Sequence, residues 1–260
     1  MPPSCPVCGS HQFNDFFTAN TGNKQSFRLV TCGTCSHHFT LIPDHIDLST
    51  FYEDDDYKVA DFRKSLFFRL LSFEYTGILK KISEIRQGSE SLLDFGCGKG
   101  NFLWFAKNQG WSSTGVETSL PRAEYARNIF DLTVFTENYS SGKIGTGSYD
   151  VITLFHVLEH LPAPVELLRE LVSGNLNKNG ILLIEVPNFA SWQARWTMEK
   201  WMHLDIPRHI SHFSEPVLMQ ILQLLNLNPV KKEYFSFHLG VLGMVQSIMS
   251  ILGYRNNLLT

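Results

Sequence analysis

With 260 residues, the chain has room for one full-sized domain and a small appendage, or for two small domains. Hydrophobic residues make up 43% and charged residues 18%, with 20 Phe and 5 Trp, which excludes intrinsic disorder over most of the length. Lys plus Arg number 22 against 25 Asp plus Glu, a formal charge of -3, so no overall basic field advertises nucleic acid, and none is expected as a partner.

The start, Met1-Pro2-Pro3-Ser4-Cys5, has no apolar stretch behind a basic segment, which makes the cytoplasm the expected location. Four of the five cysteines follow within 35 residues, as Cys5-Pro-Val-Cys8 and Cys32-Gly-Thr-Cys35. Two C-x-x-C pairs at this spacing suit tetrahedral zinc, because each pair forms a knuckle that presents two thiolates to one ion. Disulfides are disfavoured in a chain without a secretory signal, and a redox pair is disfavoured because neither motif sits in a βαβ unit. Cys5, Cys8, Cys32 and Cys35 leave no open coordination position, so the expected role is structural or docking, and His37 and His38 are not needed as ligands. Short strands at 13–17, 26–31 and 39–42 complete the layout of a zinc ribbon over residues 1–48.

Residues 49–90 read as a linker and a helix. The acidic run Glu53, Asp54, Asp55 and Asp56, between Tyr52 and Tyr57, has the composition of a solvated segment. Over 62–85, apolar residues recur at helical spacing (Phe62, Leu66, Phe67, Leu70, Leu71, Ile78, Leu79, Ile82, Ile85), with Gly77 as a candidate break. The period then alternates: strands at 91–95, 113–117, 132–135, 149–155 and 181–186, with helices at 101–108, 121–130 and 164–176. Such alternation implies right-handed crossovers and a doubly wound, mostly parallel sheet, hence an α/β fold. A helix at 215–225 and a strand at 230–235 extend it to residue 238. The apolar tail, 239–260, reads as helix or irregular chain. Its apolar run, 239–252, is broken by Gln246 and two serines and falls short of the ~18 residues of a membrane span, which leaves peripheral membrane contact as the one lipid interaction open to it.

The first parallel strand, Leu92-Leu93-Asp94, runs into Phe95-Gly96-Cys97-Gly98-Lys99-Gly100. These glycines stand at the C-terminal edge of the sheet, where open sheets bind ligands, and they let backbone approach a ligand that a Cβ would hold away. The next strand ends in Gly115-Val116-Glu117, a carboxylate able to accept from both hydroxyls of a ribose. The spacing G-x-G-x-G departs from the G-x-G-x-x-G that accommodates a pyrophosphate.

Residues 92–100 and 115–119 resemble the first two motifs of class I S-adenosylmethionine-dependent methyltransferases. Residues 149–161, Tyr-Asp-Val-Ile-Thr-Leu-Phe-His-Val-Leu-Glu-His-Leu, resemble their fourth-strand motif, and residues 176–188 the following turn and fifth strand. The resemblance covers about 91–237 and implies a Rossmann-like methyltransferase fold. It also implies that Gly96, Gly98 and Gly100 line the methionine part of S-adenosylmethionine, with Cys97 in the same loop and Asp94 orienting it. Glu117, followed by Thr118, would hold the ribose, and Phe155 and His156 would lie under the cofactor. The antiparallel seventh strand usual in the family is not legible. In similar enzymes a tyrosine-rich stretch like 52–57 folds over the cofactor.

Displacement at a sulfonium needs mainly proximity, alignment and a dry site. For a hydroxyl or acidic C–H acceptor a general base adds ~10²- to 10⁴-fold, which directs attention to histidines. One group is His156, Glu159 and His160. The other is His203, Asp205, Arg208, His209 and His212, in an insertion (202–214) that looks like an acceptor-side lid of many bacterial members. His209 is the first candidate for the base and His156 the second, with Arg208 positioned for phosphates or hydroxyls. Glu159-His160 also resembles a segment of ubiquinone-pathway O-methyltransferases associated with a divalent metal, but the acidic first member there is His156 here, so metal dependence is not expected. Cys97 reads as a small packing residue.

The ribbon, acidic linker and core together resemble bacterial sugar-methylating enzymes. That resemblance implies a small-molecule acceptor, a sugar nucleotide or cell-surface glycan precursor, with a lipid-like acceptor held by Phe189, Trp192 and Trp196 as competitor. The alternatives are an NAD-dependent oxidoreductase and a non-catalytic zinc-ribbon module on a methyltransferase-like scaffold.

Overall fold

A computed structural model of the chain describes residues 3–20, 25–51, 66–88, 91–136, 147–234 and 236–251. The acidic run at 53–56 with its two tyrosines, the first residues of the expected helix from Phe62, and the last residues of the tail lie outside the described residues. In chain order the first elements are β1 (Phe13–Asn20), β2 (Ser26–Cys32), β3 (His38–Leu41), α1 (Leu66–Ile85), β4 (Ser91–Phe95), α2 (Asn101–Asn108), β5 (Ser112–Val116) and α3 (Leu120–Phe130). After them come β6 (Thr133–Phe135), β7 (Tyr149–Phe155), α4 (Pro164–Gly174), β8 (Leu176–Glu185), α5 (Trp192–Thr197), β9 (Ser211–His212), α6 (Glu215–Leu224) and α7 (Phe237–Ile251).

The chain divides into two compact units: Tyr57–Val157 with Leu168–Glu185, and Met1–Asp56 with Leu158–Leu167 and Val186–Thr260. The first is a five-stranded parallel sheet in the order β6-β5-β4-β7-β8. Its central strands β4 and β7 are apolar runs because both faces are covered, and Leu92, Leu93, Val151, Ile152 and Leu154 are fully buried. Strand order reverses at β4, since β5 and β6 continue to one side and β7 and β8 to the other. Chain leaving β4 and chain leaving β7 therefore diverge, which opens a crevice beyond their C-terminal ends.

α1 buries Phe68, Leu71, Leu79 and Ile82, and its Phe68 and Tyr75 rings meet Phe105 and Phe102 of α2, each at 5.3 Å. It runs unbroken through Gly77, contrary to the break allowed for there. A glycine inside a helix costs about 1 kcal/mol, whereas burying Leu71 and Leu79 on either side returns about 1.5 to 3 kcal/mol each.

The second unit holds an antiparallel sheet in the order β1-β2-β3-β9. Phe27 and Leu29 are buried on one face of it and Val30, with Phe39 opposite it in β3, on the other, and Leu29 also packs with Ala194, Trp201 and Leu204. The outer edge of β3 is paired rather than bare: Thr40 N–H donates to Ile210 O at 2.8 Å, and His38 and Phe39 stand opposite His212 and Ser211.

The strand expected at 230–235 is absent over its described residues. Val230 and Tyr234 are open to water, and the segment is tied to α6 by side chains, with Lys232 and Tyr234 both donating to the Glu215 carboxylate (2.7 and 2.9 Å). A short segment forms a strand only where another strand pairs with it. Helix α4 ends at Gly174, so β8 begins earlier than expected and includes the turn around Asn179. The tail is helical over α7. Among the described residues no antiparallel strand joins the parallel sheet, and no helix is long and apolar enough to cross a membrane.

Candidate functional site

The loop after β4 is shaped by three glycines in the left-handed region, Gly96 (φ 75°), Gly98 (φ 55°) and Gly100 (φ 77°). Their surroundings separate their roles. A Cβ on Gly96 would stand 2.4 Å from Cγ2 of Val157, and one on Gly100 would stand 2.6 Å from Cδ1 of Leu132, so both are needed for packing. A Cβ on Gly98 would meet nothing within 4 Å and would project into open space. Gly96 N–H and Cys97 N–H both donate to Val116 O (2.8 and 3.0 Å), which binds the loop to the end of β5.

One step further along β5, Glu117 fastens the loop. Its Oε2 accepts from Gly98 N–H and its Oε1 from Ser119 N–H, each at 2.8 Å. The carboxylate lies beneath the loop at 8% exposure.

At this crevice a cavity of about 260 Å³ is lined by Asp94, Gly96, Cys97, Gly98, Phe155 and His156, together with Tyr75, Lys99, Asn101, Phe102 and Arg122. Six of the residues singled out in the sequence meet here. Gly100, Glu117 and Thr118 do not line it. Tyr75, Asn101, Phe102 and Arg122 were not anticipated; they come from α1, α2 and α3, and only the fold brings them to the loop.

Burial, opposed by a 2.7 Å hydrogen bond from Thr153 Oγ1 and aided by the nearby Glu117 charge, pushes the Asp94 carboxyl up to about 7. Burial, with Asp94 and Glu185 close by, pushes the Tyr75 phenol up. Lys99 is lowered by burial and by Arg122. The Cys97 thiol is pushed well up by burial and the two carboxylates, and its Sγ fills the space left by Gly115, so it is a protonated packing group.

His156 is a non-glycine residue at φ 55°, its N–H donates to Glu185 O at 2.9 Å, and its Nε2 lies 3.2 Å from Glu185 Oε1. A strained residue beside a cavity, oriented by a carboxylate, is a candidate for proton transfer.

In the other unit, His209 is buried and donates from Nδ1 to His203 O (2.8 Å). His160 donates from Nδ1 to Arg208 O (3.0 Å), and the two rings stand 4.6 Å apart at 70°. Burial and His209 lower the His160 pKa. Arg208 is engaged by Asp205, whose Oδ1 accepts from both Nε and Nη2 (3.0 and 2.9 Å).

That unit also gathers the four N-terminal cysteines, all reduced, with their sulfurs within 4.8 Å of one another. Cys5 and Cys35 sulfurs are 3.6 Å apart, and Cys8 and Cys32 sulfurs 3.5 Å. Four sulfurs tetrahedral about one ion at 2.3 Å lie about 3.8 Å apart, so the set fits zinc.

Comparison with known proteins agrees with this geometry. A search of the curated proteins finds no match to the sequence. Among solved structures, the plantazolicin methyltransferase BpumL in complex with SAH is 17% identical, with a TM-score of 0.53 over 80% of this chain and 90% of that one. The magnesium protoporphyrin IX methyltransferase ChlM from Synechocystis PCC 6803 is 16% identical, with a TM-score of 0.53 over 73% and 87%. Streptomyces venezuelae DesVI is 17% identical with a TM-score of 0.42, and the match takes in 58% of this chain and 60% of the length of DesVI. The first two share the fold. A family described as "Methyltransferase domain" matches residues 67–232, well over half of the sequence, and the chain belongs to that family.

Proposed function

We propose that the protein is an S-adenosylmethionine-dependent methyltransferase that acts in the cytoplasm on a small-molecule acceptor, a sugar nucleotide or cell-surface glycan precursor. The observation that carries this reading is the cavity at the strand-order reversal, where Gly98 leaves room for a ligand against backbone and Glu117 clasps the loop from below. When bound, S-adenosylmethionine supplies a methyl group on a sulfonium that carries its own leaving group. The chain's part is then to bind, align and exclude water. Gly96 and Gly98 present backbone to the methionine portion, and Asp94 stiffens the loop base through Thr153. Glu117 and Thr118 stand at the ribose end, and Phe102 and Phe155 supply apolar walls. The family match leaves the NAD-dependent and non-catalytic alternatives without support.

We assign proton abstraction from the acceptor to His156 before His209, reversing the order that sequence alone suggests. His156 lines the cavity and Glu185 can stabilise its charged form, whereas His209 is buried with its Nδ1 committed. Cys5, Cys8, Cys32 and Cys35 hold one structural zinc in a ribbon over residues 1–48, ahead of a methyltransferase domain over 91–238. Removing one thiolate by Cys8→Ser should unfold the ribbon locally, since in small metal domains binding energy is folding energy. A freshly purified chain with no zinc on thiolates would remove this assignment.

The function is tested by calorimetry with S-adenosylmethionine and with NAD, followed by an acceptor panel read by S-adenosylhomocysteine release. Binding of S-adenosylmethionine alone and turnover of a nucleotide sugar are expected. Tight NAD binding without S-adenosylmethionine binding would overturn the methyltransferase reading. Turnover of quinol or fatty-acid-like acceptors with no nucleotide sugar or glycan would overturn the sugar assignment only.

A further inference from the structure

We propose that Glu159, His160 and His209 form a divalent transition-metal site, separate from the cysteine tetrad and independent of the assigned acceptor. The chain brings them together by main-chain hydrogen bonding. Ile210 N–H donates to Glu159 O at 2.8 Å and His160 Nδ1 donates to Arg208 O at 3.0 Å, so the short helical turn at 158–160 is zipped to the segment that carries His209. One ligand atom from each of the three side chains lies within 4.8 Å of the other two.

Three features distinguish this cluster from a solvated group of polar residues. First, it is buried, with Glu159 at 1% and His209 at 7% exposure. A carboxylate taken out of water is stabilised by a cation held among its neighbours. Second, both imidazoles donate from Nδ1 to a backbone carbonyl, His209 to His203 O and His160 to Arg208 O. A carbonyl only accepts, so each Nδ1 carries the proton and, in the neutral ring, each Nε2 keeps a lone pair. This is the outer hydrogen bonding that fixes metal-ligating histidines. Third, two imidazoles and one carboxylate are a nitrogen and oxygen set suited to zinc, iron or manganese rather than to calcium.

Asp205 adds a carboxylate at the edge, with Oδ2 3.8 Å from His209 Nε2, while its Oδ1 accepts from the Arg208 guanidinium and so offsets that positive charge. Two ligands on one ion at about 2.1 Å lie at most about 4.2 Å apart, so loading draws the donors inward by side-chain rotation. The third ligand is supplied 49 residues beyond His160, from the insertion, so His156 need not be acidic for metal to bind.

The test uses the full chain, stripped with a chelator and reloaded with Co²⁺ alone. The expected result is two equivalents, one with the intense near-ultraviolet band of thiolate ligation and one with only weak visible bands. Glu159→Gln and His209→Ala should each bind one equivalent fewer and keep the thiolate band. A wild-type chain that takes up one equivalent, all of it on thiolate, overturns the proposal. So does a weak-band equivalent that persists in both variants. If a variant fails to fold, shown by loss of the thiolate band as well, the wild type decides through X-ray absorption at the cobalt edge. Imidazole neighbours in the non-thiolate equivalent support the site, and their absence overturns it.

Discussion

Glu117 and Gly98 are joined by a 2.8 Å hydrogen bond from the loop N–H to Oε2, which locks the end of β5 to the glycine turn after β4. The same carboxylate takes a second N–H, from Ser119 at the start of α3. Glu117 is thus a clasp for the loop, in addition to the ribose-accepting role proposed for it.

Its removal should act on both. Glu117→Ala is expected to weaken S-adenosylmethionine binding by about 1 to 3 kcal/mol, since a charged acceptor is lost and two N–H groups lose their partner. Calorimetry checks the affinity and thermal unfolding the loop. Wild-type affinity in this variant would mean that the carboxylate only braces the turn.

Gly96 and Gly98 should respond differently to one added methyl. Both sit at positive φ, where a non-glycine residue costs about 1 to 2 kcal/mol. Gly96→Ala also drives a Cβ to 2.4 Å from Val157, which adds an overpacking cost of about 1 to 3 kcal/mol. It should therefore lose stability in urea, with partial recovery in Gly96→Ala combined with Val157→Ala. Gly98→Ala has room for its Cβ and should lose ligand affinity out of proportion to its small loss of stability. Equal effects of the two single variants on urea midpoints would contradict this division of roles.

Asp94 gives the fold a pH dependence. Its carboxyl is raised from 3.8 to about 7 by burial, so between those values the folded chain holds a proton that the unfolded chain has released. That contribution is fully present below about pH 4 and is lost as pH rises through about 7. Asp94→Asn keeps an acceptor for Thr153 and cannot ionise. The melting temperature of the wild type relative to this variant should fall between about pH 4 and 7 and level off above that, and parallel curves would show that Asp94 does not titrate in that window.

How much of this was legible depended on whether the signal was local. The strand, glycine loop, helix and Glu117 occur within 27 residues, and their periods and glycines mark them without reference to anything distant. The cysteine pairs are equally self-contained. Tyr75 and Arg122 reach the cavity from α1 and α3, and nothing in their own neighbourhoods distinguishes them from other helix residues. β9 is two residues long and exists only because β3 offers it an edge, whereas the described part of the expected strand, 230–234, pairs with no edge and forms none. Gly77 misleads for the converse reason, since tertiary burial on either side of it outweighs its local propensity.

The last expectation concerns His156. Its φ of 55° means that alanine there would combine loss of the ring with backbone strain, so the informative variant is His156→Asn, because asparagine tolerates the left-handed region. On the acceptor that the panel identifies, this variant should lower kcat by ~10²-fold or more, the contribution of a positioned base, with S-adenosylmethionine affinity nearly intact. Glu185→Gln retains an acceptor atom beside Nε2 and removes the charge that favours the imidazolium, so its loss of kcat should be smaller and its KM close to wild type. Full turnover in His156→Asn would show that the acceptor needs no base from this residue, and would reduce it to a wall of the cavity.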